Sequence, residues 1–552
     1  MAMTTLDGKR FAQMVLQGAT HLANNAKTVD ALNVFPVPDG DTGTNMNLSM
    51  TSGAKEVKNH VSDHIGKVAG ALAKGLLMGA RGNSGVILSQ LFRGFAKAIE
   101  QKSEINSKEF AAALEAGVQT AYKAVMKPVE GTILTVAKDA AKRAVAVAKK
   151  ETDIVVVMTE VLKEAKASLK RTPDLLPVLK EVGVVDSGGQ GLVFVYEGFL
   201  AALKGETITE TEALSMEQLV RTEHHRNVQS HLSADDIEFG YCTEFMVKFE
   251  QDKVAKHPFH EETFRQDLSR FGDSLLVIAD DEVVKVHIHA EQPGEVLTYA
   301  QRYGSLINIK IENMREQHAN IVHQEMQPPK KQERIPYGIV AVAMGDGIAE
   351  LFKSIGAHAV IEGGQTMNPS TEDIVKAIEE VNAQTVFVLP NNKNIILAAQ
   401  QAASVASCDV VVIPSKTVPQ GMTALLSFNP SATKEENEEV MTEALARVKT
   451  GQVTFAVRDT NIDGVEIEKD DYMGIADGKI VVSHKELHSV VETLLTHMIG
   501  EEDEIVTILS GEDATEEQTA HIVQFIEQQF PHVEVETHHG GQPLYPFIFA
   551  IE

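Results

Sequence analysis

Cysteine and long apolar runs are both scarce in this sequence, and each scarcity excludes a class of protein. The 552 residues include only two cysteines, Cys242 and Cys408. A disulfide framework is therefore implausible, and a reducing cytoplasm is the expected compartment. No stretch of about 18 uninterrupted apolar residues occurs, and the N-terminus lacks an apolar run of the signal-peptide kind. The sequence predicts a soluble, cytoplasmic protein without a membrane span.

Basic residues are also few. The 50 Lys and Arg residues are outnumbered by 78 Asp and Glu, which gives a formal net charge of -28. An acidic surface repels DNA, RNA and anionic lipid, so none of these is an expected partner. The hydrophobic fraction of 43% is that of an ordinary globular protein. The length predicts roughly three domains of about 100–200 residues each.

Hydrophobic periodicity divides the chain into three parts. Residues 1–205 carry apolar side chains at helical spacing throughout, which predicts an all-α bundle. Residues 206–323 begin with a polar connector and continue with strand-like runs and one helix, typical of a small α+β domain. A proline-rich, charged linker at 324–336 follows. Residues 337–552 are predicted to form an α/β domain. Between residues 338 and 413, β-rich runs alternate with helical patterns, which predicts parallel strands, and a second half with further strands and helices follows.

Residues 33–47, NVFPVPDGDTGTNMN, combine paired carboxylates with a helix start. Asp39 and Asp41 lie two residues apart in a loop, so both carboxylates can bind one hard cation such as Mg²⁺. Thr44 and Asn45 follow where a helical pattern begins, and free backbone N–H groups at such a start favour phosphate. For Asp-Gly-Asp alone, the alternative is a surface turn that caps a helix.

Residues 78–90, MGARGNSGVILSQ, form a second candidate phosphate loop. Its glycines, Gly82 among them, allow the backbone to approach a ligand closely. Asn83 and Ser84 offer polar side chains where the next helix begins. The alternative is that the glycines only allow close packing of helices.

Two further loops, PVEGTILT at 128–135 and VVDSGGQGL at 184–192, also bring glycine and hydroxyl or carboxylate groups to a helix start. In the order DGDTGTNM, GARGNSG, EGTILT and DSGGQG, the four loops resemble the nucleotide-binding L subunit of dihydroxyacetone kinases. The likeness covers nearly all of residues 1–200. It implies an antiparallel eight-helix barrel that binds ATP or ADP at one end through two Mg²⁺ ions.

The resemblance also assigns roles to individual residues. It implies Asp39 and Asp41 as Mg²⁺ ligands, and it places Asn33 near the position where the family commonly has a third aspartate. The positions that match the family's phosphate side are Thr44, Asn45, Gly82, Asn83 and Ser84. The positions that match its sugar or base side are Thr132, Asp186 and Gly188.

Phosphoryl transfer depends on positioning and on neutralising charge at the γ-phosphate. Two metal ions and helix N-termini supply that neutralisation in such a site. Arg81, in the second loop, is a candidate for additional positive charge near the transferred group. The alternative is a solvated or salt-bridged arginine.

The middle domain contains a candidate metal site of a different kind. In VKVHIHA, His287 and His289 are two residues apart on a predicted strand and therefore share a face. Cys242 begins another predicted strand. A His-x-His pair with a cysteine suits zinc, with Glu244 or water completing the shell, although a lone His-x-His pair is more often structural or solvent-facing.

The order of the three domains resembles the catalytic component of bacterial fatty acid kinase. That resemblance implies that Cys242, His287 and His289 bind a metal and are needed for function. It implies a kinase that phosphorylates the carboxylate of a fatty acid held by a separate DegV-type fatty-acid-binding protein, giving acyl phosphate for phospholipid synthesis. A homodimer is also expected.

Residues 337–552 resemble the DegV-type lipid-binding fold through GGQTMNPSTEDI and PSKTVPQGMTAL. In lipid-binding members, a hydroxyl-rich turn after the first strand grips the carboxylate. Here that turn, residues 343–347, has no hydroxyl and contains Asp346, whose charge is expected to repel a fatty-acid head group. We therefore expect a docking or dimerisation domain rather than a fatty-acid site.

Two other functions remain open at the level of sequence. The acceptor is dihydroxyacetone or another triose in one of them, although neither downstream domain looks like the substrate-binding module of those kinases. In the other, the chain is a non-catalytic, ATP-sensing scaffold, which the presence of both aspartates and all four loops argues against.

Overall fold

The computed structural model describes residues 2–32, 41–125, 127–209, 239–279, 283–313, 315, 334–364, 368–462 and 464–552. The chain divides into two compact units, one made of Met1–Ala213 with Arg334–Glu552 and the other of Leu214–Glu333. Most of the predicted connector at 206–232 and linker at 324–336 lies outside the described residues. Within the described residues, no helix has the length and apolar character needed to cross a membrane.

The N-terminal domain of the first unit is a ring of helices. Its helices, as far as they are described, are α1 Gly8–Asn24, α2 Ala26–Asp30, α3 Thr42–Asn59, α4 Ile65–Gly79, α5 Gly82–Ala98, α6 Ser107–Ala124, α7 Ile133–Ala148, α8 Ile154–Leu175, α9 Pro177–Val182 and α10 Ser187–Lys204. Each long helix packs against the next long one, and α1 packs against both α3 and α10, which closes the ring. Short connections make such neighbours run antiparallel. The predicted eight-helix barrel is confirmed.

The ring is held together by apolar side chains that point inward. Phe11 of α1 is fully buried and stacks on Phe95 of α5, with ring centroids 5.4 Å apart. A two-stranded antiparallel pair, β1 Thr5–Asp7 with β2 Glu104–Asn106, joins the entries to α1 and α6. Asn106 and Glu109 form a capping box at the start of α6, which satisfies backbone N–H groups that the helix leaves unpaired.

The second unit is a small α+β domain. Its four-stranded antiparallel sheet has the order β4-β5-β3-β6, with β3 Tyr241–Phe249, β4 Gly272–Ala279, β5 Val283–Ala290 and β6 Gly304–Asn313. Its described helices are α11 Gln251–Lys256, α12 Glu261–Leu268 and α13 Pro293–Ala300. Phe245 and Val247 on β3 pack with Phe264 on α12 in its core. β4 and β5 are consecutive strands and pair antiparallel.

The C-terminal domain of the first unit begins with a parallel sheet. Its strand order is β10-β9-β7-β8, formed by β7 Ile335–Ala343, β8 Ala359–Glu362, β9 Ala383–Leu389 and β10 Asp409–Val412. The helices between these strands are α14 Asp346–Ser354, α15 Thr371–Val381 and α16 Ile396–Val405. We call this part the first lobe. Its β-rich runs and helices confirm the predicted parallel α/β layout.

A second lobe follows and contains a six-stranded mixed sheet. The sheet has the order β15-β14-β11-β18-β16-β17 and a hairpin β12-β13 beside it. The strands are β11 Lys449–Phe455, β12 Thr460–Ile462, β13 Val465–Ile467, β14 Tyr472–Ala476, β15 Lys479–His484, β16 Ile505–Ser510, β17 Glu534–His539 and β18 Phe547–Ile551. The helices are α17 Val418–Leu426, α18 Lys434–Ala444, α19 Leu487–Met498 and α20 Glu516–Gln529.

A cavity of about 570 Å³ lies between the two lobes. It is lined by Ala343 and Met344 from the end of β7, and also by Lys416 and Ile475. Asp346 does not line it and instead begins α14. The predicted repulsion of a carboxylate by Asp346 is therefore not supported by its position, and docking or dimerisation stays a prediction for this domain.

Close contact between α1 and α10 depends on glycine, which generates a prediction. A methyl group at Gly198 would lie 2.5 Å from the Gln17 carbonyl oxygen and from the Gly18 Cα atom. We expect Gly198→Ala to force the helices apart and to lower the free energy of unfolding by roughly 1–3 kcal/mol. The measurement is the urea unfolding midpoint of the helical domain, followed by far-ultraviolet circular dichroism.

Gly70 provides the matched control. It lies on the exposed side of α4, with nothing within 4 Å of an added methyl group. Gly70→Ala should raise the free energy of unfolding by about 0.5–1 kcal/mol because it removes backbone freedom from the unfolded chain. Equal midpoints for the two variants would contradict the packing account.

Candidate active site

The four predicted loops meet at one end of the helical ring. A methyl group at Gly82 would lie 2.7 Å from Asn45 Nδ2, so the first and second loops are in contact. A methyl group at Gly188 would lie 3.3 Å from both Ser84 Oγ and Ile133 Cβ, which joins the second, third and fourth loops. Loops separated by up to about 140 residues in sequence therefore surround one small region of the N-terminal domain.

An aspartate at the end of α2, which sequence reasoning missed, holds the start of α3. Asp30 Oδ1 accepts hydrogen bonds from Gly43 N at 2.6 Å and Thr44 N at 3.1 Å, and Thr44 Oγ1 donates to Asp30 Oδ2 at 3.0 Å. Burial raises the pKa of Asp30, although the three donors oppose that shift. Asp30 lies outside every motif, so nothing in the sequence signals this role.

Asp41 immediately precedes α3 and its side chain does not cap that helix. Its carboxylate is 9% exposed and accepts a hydrogen bond from Asn368 Nδ2, a residue of the C-terminal domain. Asn33 and Asp39, the other two predicted Mg²⁺ ligands, lie outside the described residues. Within the described residues, no cluster of three or more His, Cys, Asp or Glu side chains forms a metal site.

The second loop turns sharply before α5. Gly82 has φ +57°, a left-handed conformation that favours glycine. Within the described residues, no side chain caps the N-terminus of α5, whereas Thr132 caps α7 and Asp186 caps α10. Because first-turn N–H groups and the helix dipole favour anions, α5 is the best-placed of these helices to bind phosphate.

Two polar side chains of the second loop contact the C-terminal domain. Arg81 Nη1 donates to the backbone oxygen of Asn368 at 2.9 Å, and Arg81 Nη2 lies 3.8 Å from the Asp373 carboxylate. Asn83 Nδ2 donates to Asn394 Oδ1 at 3.3 Å. The interpretation of Arg81 as a salt-bridged residue thus agrees with its contacts, and its role near a transferred phosphate stays a prediction.

The third and fourth loops present capped helix starts. Thr132 Oγ1 donates to the Val129 carbonyl oxygen at 2.8 Å and accepts from Leu134 N at 3.4 Å. Asp186 Oδ2 accepts from Gly189 N at 2.6 Å. Burial raises the pKa of Asp186 to about 6, although backbone donors from Gly189 and Ile133 lower it.

In the second unit, backbone register brings the predicted zinc positions together. Cys242 on β3 pairs with His289 on β5, and Glu244 pairs with His287. Paired positions on adjacent strands share one face of a sheet, so all four positions lie on the same face. The side chains of Cys242 and His287 lie outside what the structure describes, and His289 is 9% exposed.

The raised pKa of Asp186 predicts a pH-dependent stability. Because the folded state binds the proton more tightly than the unfolded chain, this group's contribution to stability should fall as pH rises from about 4 to about 6. Between pH 4 and 7, the wild type should lose on the order of 2–3 kcal/mol relative to Asp186→Asn. The measurement is the urea unfolding free energy of both proteins across that range.

Asp174→Asn is the control for this comparison, since Asp174 is an exposed carboxylate on α8. A constant difference between wild type and Asp186→Asn at every pH would contradict the raised pKa.

Known families match all three domains of the chain. Residues 36–201 match the DAK2 domain. Residues 238–321 match the middle domain of FakA-like fatty acid kinase proteins, and residues 338–552 match the C-terminal domain of the same proteins. Each match falls on one of the three domains described above.

One similar protein and two solved structures can be compared with the chain. The chain is 65% identical over 559 residues to protein YloV of Bacillus subtilis (strain 168), with 100% of both chains covered. The dihydroxyacetone kinase of C. freundii in complex with AMP-PNP and Mg²⁺ is 21% identical, with 35% of this chain and 33% of that chain covered and a TM-score of 0.28. The Streptococcus pneumoniae fatty acid kinase B3 protein loaded with linoleic acid is 12% identical, with 40% and 99% covered and a TM-score of 0.29.

The YloV similarity extends over the full length, and the three domain matches occur in order along the chain. The chain belongs to the FakA-like family of fatty acid kinase proteins, and its DAK2 domain supports a phosphotransferase that binds ATP and Mg²⁺.

Proposed function

We propose that this protein is a fatty acid kinase that transfers the γ-phosphate of ATP to the carboxylate of a fatty acid. The acyl chain is presented by a separate DegV-type fatty-acid-binding protein, and the acyl phosphate serves phospholipid synthesis. The observation that carries the proposal is the meeting of four loops beside the α5 N-terminus, with Asp41 at the start of the neighbouring helix α3. This arrangement is suited to a magnesium–nucleotide complex because it combines a buried carboxylate with backbone donors.

The described residues fit the group that the family implies. Asp41 places a buried carboxylate immediately before α3, and we assign it to a cation together with Asp39 and Asn33. Bound Mg²⁺ ions neutralise charge on the phosphoryl group during transfer. The Asp30 carboxylate accepts hydrogen bonds from both the backbone N–H and the hydroxyl of Thr44, and these bonds fix the start of α3 beside Asp41.

The remaining loops are assigned to the nucleotide. The first-turn amides of α5, at Gly82, Asn83 and Ser84, face the phosphates together with Asn45. Thr132, Asp186 and Gly188 serve the sugar or base side. Rigid helix starts fix these groups before the substrate arrives, and such positioning provides much of the catalysis in phosphoryl transfer.

The acceptor requires little chemical activation. A fatty-acid carboxylate is already ionised near neutral pH, so no general base is needed to create the nucleophile. One carboxylate oxygen attacks the γ-phosphorus, the bond from that phosphorus to the β–γ bridging oxygen breaks, and ADP leaves with the electron pair. What the protein contributes is alignment of the two anions and neutralisation of their charge.

The second unit is proposed to bind Zn²⁺ through Cys242, His287 and His289. The pairing of Cys242 with His289 across β3 and β5 supports this ligand set. The C-terminal domain is proposed to dock the partner or to form the homodimer. Neither role is required for the assignment of the nucleotide site.

The zinc proposal predicts a loss of metal on substitution. Purified His287→Ala should contain less zinc than the wild type, as measured by elemental analysis, since one of three protein ligands is removed. His257→Ala, which changes an exposed histidine of the same unit, should retain the wild-type content. Equal zinc content in wild type and His287→Ala would exclude this site.

The magnesium proposal predicts a loss of turnover on substitution of Asp41. Mg-ATP, oleate and a DegV-type fatty-acid-binding protein from the same source are combined, and acyl phosphate and ADP are measured. Asp41→Ala should lower kcat/KM by roughly a hundredfold or more, because loss of a metal ligand removes several kcal/mol of charge stabilisation. Asp63→Ala is the control, since this exposed carboxylate lies in the loop beyond the other end of α3.

Two results would contradict the proposed function. Turnover with dihydroxyacetone but with no partner-bound fatty acid would identify a triose kinase. Full cellular function of Asp41→Ala would identify a non-catalytic scaffold.

A further inference from the structure

The second glycine loop is covered by the first lobe of the C-terminal domain. Thr371 N donates to the Ala80 carbonyl oxygen at 3.1 Å, and Gln90 Nε2 donates to Gln401 Oε1 at 2.8 Å. Gln401 Nε2 donates in turn to the Leu77 carbonyl oxygen at 2.7 Å. Ala80 and Val86 belong to the same buried apolar cluster as the parallel sheet of the lobe. The loop proposed to bind phosphate is therefore part of an interface between domains.

One residue of this lobe reaches the proposed magnesium site. Asn368 is 1% exposed, and its Nδ2 atom donates to Asp41 Oδ2. Its backbone oxygen accepts from Arg81, which fixes the main chain at this point. The contact joins residues that are 327 positions apart in sequence.

The amide oxygen of the Asn368 side chain is buried. Among the described residues, this Oδ1 atom has no hydrogen-bond partner. A buried amide oxygen that has lost water and gained no donor is unfavourable, so such groups usually have a partner in the functional state. Because this oxygen belongs to the amide that contacts Asp41, we expect the partner it binds in the functional state to lie beside the Asp41 carboxylate.

We propose that Asn368 is a residue of the magnesium site, supplied by the C-terminal domain, and that its amide oxygen binds the same cation as Asp41. The inference rests on the proposed function, because it assumes a cation at Asp41. The oxygen and nitrogen of an amide occupy nearly equivalent positions. Rotation of the Asn368 side-chain amide therefore replaces the hydrogen bond from Nδ2 to the Asp41 carboxylate with an oxygen ligand for the cation.

The chemistry of the ligand agrees with this role. Mg²⁺ binds oxygen donors, and an amide oxygen completes its shell without adding negative charge beside the phosphates. Arg81 is then a positioning residue, because its guanidinium holds the Asn368 backbone and lies near Asp373. The nucleotide site is complete only when the first lobe is docked on the second loop, so docking and nucleotide binding must strengthen each other.

The test measures binding by the full-length protein, without turnover. A fluorescent ATP analogue is held at a fixed concentration, and Mg²⁺ is titrated to find the concentration that gives half-maximal nucleotide binding. Asn368→Ala should raise that concentration about tenfold, since one oxygen near the cation is removed. Asn368→Asp, which is nearly isosteric, should lower it, because a second carboxylate beside Asp41 attracts the cation.

Gln401→Leu is the matched control for loosening of the interface. It removes the hydrogen bonds to Gln90 and Leu77 but leaves Asn368 in place. The Mg²⁺ requirement of Gln401→Leu should stay within about twofold of the wild type, because the lobe stays docked through its remaining contacts and the oxygen beside the cation is retained. A shift as large as that of Asn368→Ala would assign Asn368 to domain packing and overturn the inference.

The remaining outcomes separate this inference from the proposed function. An unchanged Mg²⁺ requirement in both Asn368→Ala and Asn368→Asp, with normal binding by the wild type, would overturn the role of Asn368 alone. No Mg²⁺-dependent nucleotide binding by the wild type would overturn the proposed function and the inference together. Asn368→Asp keeps the test valid if Asn368→Ala fails to fold.

Discussion

The backbone amides at the start of a helix need acceptors, and at one end of the helical ring this requirement determines the site. Asp30 supplies the acceptor for α3, Thr132 for α7 and Asp186 for α10. Within the described residues, α5 begins without such a side chain. Three helices are thus completed by side chains of the protein itself, and the first-turn amides of the fourth are those to which the proposed function assigns the phosphates.

The ring makes that arrangement rigid. Small residues allow the helices to approach closely, as at Gly198 and Gly18, and large side chains such as Phe11 and Phe95 fill the interior. Dense packing of this kind resists small displacements. The described residues of the four loops, which lie at helix starts, are therefore held in fixed positions by the ring.

Much of the fold follows from local sequence patterns. Helical periodicity identified the ring, and the alternation of β-rich runs with helices identified the first lobe. Four short motifs also identified the loops that meet at the end of the ring, because each combines glycine with a polar helix start. The strands β17 and β18 were not predicted, and β18 lies between β11 and β16 through pairings that only the assembled sheet reveals.

The contacts that complete the candidate site were beyond sequence reasoning. Asp30 acts on residues 13 and 14 positions away, and Asn368 on one 327 positions away. Asp30 belongs to no motif, and Asn368 lies in GGQTMNPSTEDI, which indicated the DegV-type fold and no contact with the candidate site. Each works through its place in the fold rather than through its neighbours in sequence. Arg81 shows the same limit, because its glycine loop indicated a phosphate while its hydrogen bond goes to the Asn368 backbone.

The helical ring and the first lobe that packs on it are far apart in sequence, and this separation has a consequence for biosynthesis. The ring ends at Lys204, whereas the first lobe needs the chain through β10, which ends at Val412. At about 5–20 residues per second, a ribosome makes the intervening segment in roughly 10–40 s. During that interval Ala80 and Val86 have no lobe to pack against, so the growing chain exposes apolar surface beside the second loop until the lobe is made.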